Sequence, residues 1–115
     1  MPLIRLITNA ALPADQLPAV LGSLSKIAAA ALGKPEQYVM AAANTQPMLM
    51  SGKTGPAALV EVRSIGGLNP AVNRQIARQV CDLLAQSLAI PSDRVFLNFT
   101  DVPPSDWGWR GETFG

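Results

Sequence analysis

The sequence predicts an α/β (α+β) fold in which two βαβ units form a four-stranded mixed sheet with two helices on one face. Three features of the 115 residues support this fold: an internal repeat, two amphipathic segments with helix-end signals, and four short segments with strand-like alternation. A chain of this length fits a single domain, residues 1–115, with repeat halves at about 1–56 and 57–115.

The internal repeat has a spacing of 56 residues, the separation of Pro35 and Pro91. At this shift Leu32-Gly33-Lys34-Pro35 falls on Leu88-Ala89-Ile90-Pro91, and Leu3-Ile4-Arg5-Leu6 falls on Leu59-Val60-Glu61-Val62. Identical residues are few, but the order strand, helix, strand recurs in each half. Because parallel neighbours need a crossover connection, each half is expected to be a right-handed βαβ unit.

Two helices are predicted from their end signals and apolar spacing. The first covers about Asp15–Leu32, with Asp15 as N-cap, Pro18 in the first turn and Gly33 after its end. The second covers about Pro70–Leu88, because Asn69 is a good N-cap and Pro70 suits the first helical position. The residues expected to face the sheet are Leu17, Leu21, Leu24, Ala28 and Ala31 in the first helix, and Ile76, Val80, Leu83, Leu84 and Ser87 in the second.

The four strands are predicted at about Leu3–Thr8, Tyr38–Asn44, Ala57–Ser64 and Arg94–Phe99. Alternation assigns their side chains to two faces. The face toward the helices has Ile4, Leu6, Val60, Val62, Val95 and Leu97. The opposite face has Leu3, Arg5, Met40, Ala42, Leu59, Glu61, Arg63, Phe96 and Asn98. Both helices are expected to pack on the first face, so no element of the chain is left to bury the second. Burial by other copies of the chain is the simplest arrangement, and we expect a homo-oligomer.

The composition argues against several classes of function. Histidine is absent, which removes His-based triads, His-ligated zinc and the usual near-neutral acid–base residue. A net charge of +1 gives no reason to propose a nucleic acid or a membrane as partner. The acidic residues near the tail lack the spacing of a metal site. The single cysteine, Cys81, can form no intrachain disulfide and is interpreted as a core residue.

The first residues contain no targeting signal. Met1-Pro2-Leu3-Ile4-Arg5 has no basic region followed by a long apolar stretch, and no apolar run approaches the roughly 20 residues that span a bilayer. We therefore expect a cytoplasmic protein, and release without a signal peptide is compatible with this sequence.

Pro2 has the chemically most informative position in the chain. If an aminopeptidase removes Met1, Pro2 exposes a secondary amine, whose pKa would be lowered toward neutrality by desolvation and by a cation such as Lys34. Such an amine is a general base that needs no histidine. An attached Met1 would instead make the same nitrogen a non-basic amide. From position alone, the simpler interpretation is that Pro2 begins an edge strand, where its missing N–H is harmless.

Short motifs in a fixed order along the whole chain favour the catalytic interpretation. They are Met1-Pro2, Gly33-Lys34-Pro35 with Tyr38-Val39, Ser64-Ile65-Gly66, Cys81 with Leu83-Leu84, Asp93-Arg94-Val95, Asn98, Gly108-Trp109 and Thr113-Phe114. In this order and spacing the chain resembles the macrophage migration inhibitory factor family of tautomerases, which includes D-dopachrome tautomerase.

The resemblance implies a cofactor-free homotrimer with active sites between subunits. It implies keto–enol tautomerisation of phenylpyruvate-like acids and of dopachrome derivatives, with Pro2 as the base. It also implies that Lys34 and the backbone N–H of Ile65 bind the substrate carboxylate, while Asn98 of a neighbouring subunit binds the remote end of the substrate. The aromatic residues implied at the site are Tyr38, Phe96, Trp109 and Phe114.

Three departures from the family pattern bear on specificity. Phe96 stands where the family often has Tyr, and Arg63 replaces a common His near the third strand. Ala57-Ala58-Leu59-Val60 stands where the cytokine relatives have Cys-x-x-Cys, so thiol–disulfide activity is not expected. Two alternatives stay open: a cytokine-like protein that binds a host receptor and has a vestigial pocket, and a relative that acts on an unsaturated or halogenated acid.

Overall fold

The computed structural model describes residues 1–115 and has one four-stranded sheet. Its strands are β1 (Pro2–Thr8), β2 (Met40–Thr45), β3 (Ala58–Ser64) and β4 (Val95–Asp101), in the spatial order β2-β1-β3-β4. β1 is parallel to β2 and β3 is parallel to β4, whereas the central pair, β1 and β3, is antiparallel. The predicted mixed sheet of two βαβ units is confirmed.

Two helices, α1 (Leu17–Leu32) and α2 (Pro70–Leu88), connect the parallel strands. α2 has the predicted bounds, and the Asn69 side chain accepts a hydrogen bond from the Val72 N–H at 2.9 Å, which confirms the N-cap. The predicted start of α1 is wrong, and Asp15 is not its cap. A turn precedes the helix instead, in which the Pro13 carbonyl accepts hydrogen bonds from the N–H groups of both Gln16 and Leu17.

The core lies between the two helices and one face of the sheet. Its members include Ile4, Leu6, Val60, Val62, Val20, Leu24, Ala28, Leu32, Ile76, Val80 and Leu84. The strand faces are as predicted, but the helix stripes are in part wrong, since Ser87 is exposed and Leu17, Leu21, Ala31 and Leu83 are only half-buried. Both helices bury a ridge with strict four-residue spacing, whereas the prediction included residues beside that ridge.

β2 and β4 begin later than predicted because a short 3₁₀ turn precedes each of them. These turns are Glu36–Tyr38 and Ser92–Arg94, so Tyr38 and Arg94 lie in turns and not in strands. β4 also continues to Asp101. The turns recur at the 56-residue spacing, and they bring Tyr38 to the end of the sheet where β1 begins.

A small hairpin near the C-terminus was not predicted. It pairs β5 (Gly108–Trp109) with β6 (Glu112–Thr113) in antiparallel register. Its two-residue loop is Arg110-Gly111, and both residues have positive φ, which is typical of a tight hairpin turn. Strands of two residues are too short to show alternation, so only the glycine of this loop gives a local signal.

The two helices end in the same backbone conformation at equivalent positions of the repeat. Gly33 follows α1 with a φ of 65°, and Ala89 follows α2 with a φ of 55°. A left-handed conformation is free of steric cost for glycine but not for alanine. A Cβ at Gly33 would meet no atom within 4 Å, so the difference between the two sites is conformational.

We expect Ala89→Gly to raise the free energy of unfolding by about 1 kcal/mol and Gly33→Ala to lower it by a similar amount. Urea unfolding of both variants beside the unchanged protein measures the two effects. The two changes in the free energy of unfolding must have opposite signs, and a loss of stability in Ala89→Gly would contradict the prediction.

The sheet face opposite the helices is uncovered within one chain and has large apolar side chains among its charged ones. Met40 is 66% exposed and Phe96 is 64% exposed on this face. Leu3 and Leu59 add half-buried surface beside them.

Neither helix is both long and apolar enough to cross a bilayer.

Candidate active site

A cleft of about 350 Å³ opens at the start of β1. Its walls come from the first residue, the loop after α1, the loop after β3, the loop after β4 and the C-terminal segment: Met1, Lys34, Pro35, Tyr38, Ile65, Pro104 and Phe114. The structure therefore brings together Lys34, Tyr38, Ile65 and Phe114 of the predicted site. Below, "the cleft" means this depression.

Lys34 reaches the cleft because α1 ends two residues before it, at Leu32. The Lys34 N–H donates to the Ala29 carbonyl at 3.0 Å, and its Nζ donates to the Ile65 carbonyl at 2.9 Å. Its side chain passes Gly67, where a Cβ would lie 3.5 Å from Lys34 Cε and 3.3 Å from a methyl of Leu32. The distance to Lys34 is ordinary van der Waals contact, whereas the φ of 84° at Gly67 favours glycine there.

The loop after β3 presents the backbone N–H of Ile65 to the cleft. Two hydrogen bonds shape this loop: the Ser64 hydroxyl donates to the Gly66 carbonyl at 2.7 Å, and the Gly66 N–H donates to Asp101 Oδ1 at 3.0 Å. The Ile65 N–H itself donates to the Met1 carbonyl at 3.4 Å, which is long for such a bond. Removal of Met1 would leave this N–H free for a ligand.

Pro2 is buried as the first residue of β1, opposite Ser64 of β3. With Met1 attached its nitrogen is an amide, and the amine at this end of the strand belongs to Met1. Burial and, secondly, the charge of Lys34 hold the pKa of that amine below its ordinary value. This lowered pKa is that of the Met1 amine, and a lowered pKa of the Pro2 amine stays a prediction.

Aromatic side chains form one wall of the cleft. Tyr38 and Phe114 line it, and Trp109, which is also exposed, contacts both rings. The Trp109 ring meets Tyr38 edge to face, with centroids 5.9 Å apart, and stacks on Phe114 with centroids 6.1 Å apart. The Arg110 guanidinium lies 4.2 Å from the centre of the Trp109 ring. Trp109 therefore belongs to the same aromatic cluster, and its contact with the substrate stays a prediction.

Phe96 and Asn98 lie away from the cleft within one chain. Both are exposed on the outer face of β4, beside Leu59 and Glu61 of β3. A place for them in the same site requires a second copy of the chain, as the resemblance implies. Sequence reasoning also missed two residues of the cleft, Pro35 and Pro104. Pro35 adjoins Lys34 and could have been included, whereas no signal links Pro104 to the site.

A mixed sheet of two βαβ repeats, with a cleft where the first strand begins, defines a protein of the tautomerase superfamily. The family described as macrophage migration inhibitory factor (MIF) matches residues 1–115, and the chain belongs to this family.

Relatives from distant organisms match over nearly their whole length. The chain is 38% identical to a macrophage migration inhibitory factor homolog of Brugia malayi, with 100% of both chains covered. It is 34% identical to macrophage migration inhibitory factor of Xenopus tropicalis, with 99% of each covered. Among solved structures, the homologue from Prochlorococcus marinus superimposes with a TM-score of 0.92 at 42% identity, covering 98% of this chain and 99% of the other.

Proposed function

We propose that the chain is a cofactor-free tautomerase that interconverts the keto and enol forms of phenylpyruvate-like acids, and of dopachrome derivatives. Pro2 is the general base after removal of Met1. The observation that carries the proposal is the meeting of the Lys34 ammonium, the Ile65 N–H and the start of β1 at one cleft.

The carboxylate of the substrate binds between Lys34 and Ile65. The ammonium of Lys34 has three protons, of which one is donated to the Ile65 carbonyl, so donors remain for a ligand. The Ile65 N–H becomes available once the Met1 carbonyl has gone. Together they hold an anion with charge-assisted hydrogen bonds and orient the neighbouring carbonyl.

Pro2 then moves the proton. Its neutral nitrogen accepts a proton from the carbon next to the keto group, the C–H electron pair forms the carbon–carbon double bond, and the keto oxygen takes up a proton from water to give the enol. The protonated Pro2 then gives its proton to the hydroxide that is left, which restores the neutral amine and the water. The reverse steps return the keto form and the neutral amine. At the neighbouring Met1 amine, desolvation and the charge of Lys34 hold the pKa below its ordinary value. We expect the same two causes to lower the pKa of the Pro2 amine, so that the base is neutral at lower pH.

The aryl group of the substrate lies against Tyr38 and Phe114, with Trp109 holding both rings in place. A volume of about 350 Å³ is within the range of small-molecule pockets. We further propose a homotrimer in which Phe96 and Asn98 of a neighbouring subunit complete the site. This is supported by the exposure of Phe96 and Met40 on the sheet face that no helix covers.

An intact-mass measurement together with a phenylpyruvate enolisation assay on the same sample tests the proposal. Protein that lacks Met1 is expected to turn over phenylpyruvate, with a rate that follows the processed fraction across preparations. A fully processed sample without turnover would contradict the enzyme assignment and would favour a binding role.

A further inference from the structure

A second depression, called "the groove" below, adjoins the cleft. It has a volume of about 270 Å³ and is lined by Leu3, Arg63, Val102, Asp106, Trp107 and Gly108. The two depressions are neighbours along the same segments. Leu3 lies two positions after Met1, and Arg63 lies two positions before Ile65, so each pair lies on the same side of an extended chain. Leu3 and Arg63 also alternate with the buried Ile4 and Val62, so the groove lies on the outer face of the sheet.

Arg63 is the cation of the groove, and it has only one partner in the chain. One of its nitrogens lies 3.3 Å from Glu61 Oε2, and its side chain is 52% exposed. Glu61 also lies directly opposite Arg5 on β1, but its carboxylate pairs with Arg63 and not with Arg5. Because a guanidinium has five N–H donors in a planar fork, most donors of Arg63 remain available to a ligand.

The other polar group of the groove is Asp106. Its Oδ1 accepts a hydrogen bond from the Ser105 hydroxyl at 3.3 Å, and the residue is exposed. No ion pair joins Asp106 to Arg63. The remaining side chains, Leu3, Val102 and Trp107, are apolar and partly buried. The groove is thus lined mainly by apolar side chains, and the planar guanidinium of Arg63 is its cationic group.

We propose that Arg63 and the groove form a second anion subsite, which makes dianionic 2-oxo acids substrates of the tautomerase. This inference rests on the proposed function. One carboxylate binds at Lys34 and Ile65, and a second, on the substrate side chain, binds the Arg63 fork. A substrate that spans both depressions crosses the start of β1. The carbon that loses its proton then lies between the two cations and next to Pro2.

A matched pair of substrates tests the subsite: 2-oxobutanedioic acid and 2-oxobutanoic acid, which share a four-carbon chain and differ in the second carboxylate. We expect Arg63→Gln to raise the ratio of the KM for the diacid to the KM for the monoacid by about tenfold, since charge-assisted hydrogen bonds are lost. Arg63→Lys is expected to restore part of the preference, because it keeps the charge but not the fork.

Arg5→Gln is the matched control. Arg5 lies on the same face of the sheet as Arg63, opposite Glu61, but it does not line the groove. Its loss should therefore leave the KM ratio unchanged. An equal change in both variants would mean a general effect of charge and would overturn the proposal, as would an unchanged ratio in Arg63→Gln. A changed oligomeric state of Arg63→Gln in light scattering would assign the groove to contacts between copies and would overturn it too.

Calorimetric titration separates this proposal from the proposed function. Binding of the diacid is expected to weaken about tenfold in Arg63→Gln relative to the unchanged protein, whether or not turnover occurs. Turnover of phenylpyruvate without this loss would leave the tautomerase assignment intact and reject the subsite. Weaker diacid binding in Arg63→Gln, in a protein that does not turn over phenylpyruvate, would support the subsite and reject the tautomerase assignment.

Discussion

Replacement of Pro2 by glycine is expected to lower the rate of phenylpyruvate enolisation about 10²–10⁴-fold in protein that lacks Met1. Glycine is small enough to permit the same removal of Met1, but it gives a primary amine without the pyrrolidine ring. That ring is buried at the start of β1 and fixes the direction of the nitrogen lone pair. A base that is free to turn away from the substrate loses most of the benefit of its position.

The measurement is steady-state enolisation, with intact mass to prove processing and circular dichroism to compare the fold. Ile7→Val is a suitable control, because it makes a conservative change near the other end of β1 and lines neither the cleft nor the groove. Full activity of correctly processed Pro2→Gly would reject Pro2 as the base. Equal losses in Ile7→Val and Pro2→Gly would also reject it, because they would point to the strand and not to the nitrogen.

Much of the fold was predictable because its signals are local. Asn69-Pro70 marks the start of α2, Gly33 marks the end of α1, and each feature acts within one helical turn. The 56-residue repeat then sets the order of the strands. The start of α1 was not predictable in the same way. Both Asp15 and Pro13 offer local signals there, and the turn at Pro13 prevails.

The residues of the site also differ in how far local signals predict them. Lys34 lies just after the end of α1 and Ile65 just after the end of β3, and the structure brings both to the cleft. Trp109 belongs to the small C-terminal hairpin, which strands of two residues do not reveal in a sequence. Phe96 and Asn98 belong to a face that one chain leaves uncovered, so their predicted role depends on contacts between copies.

The repeat also shows why only one end of the sheet has this cleft. The hydrogen bond from the Ile65 N–H to the Met1 carbonyl recurs in the other half as a bond from the Asn9 N–H to the Ala57 carbonyl, each at 3.4 Å. There, however, the chain arrives through Gly55-Pro56. Arg94, the counterpart of Tyr38, donates to the Pro56 carbonyl at 2.8 Å. The equivalent space is therefore occupied by the protein's own backbone.

Lys34→Met is expected to lower kcat/KM for phenylpyruvate about 10–10²-fold, because the carboxylate loses a charge-assisted hydrogen bond. It should also move the acidic limb of the pH profile to higher pH. The Pro2 amine acts as a base only when neutral, and a neighbouring positive charge favours the neutral form and lowers its pKa. Without Lys34 the pKa of the Pro2 amine is expected to rise. Desolvation, which is the larger cause of the lowered pKa at the neighbouring Met1 amine, would remain.

Lys34→Arg is the control that separates the two roles of the lysine. It keeps the positive charge, so the acidic limb should stay in place, while the altered reach of the guanidinium changes the KM. The pH dependence of kcat/KM for the three proteins decides the matter. If the limb of Lys34→Met stays with that of the unchanged protein or moves to lower pH, then Lys34 binds the substrate without tuning the base. A limb that moves upward in Lys34→Met alone assigns both functions to this side chain.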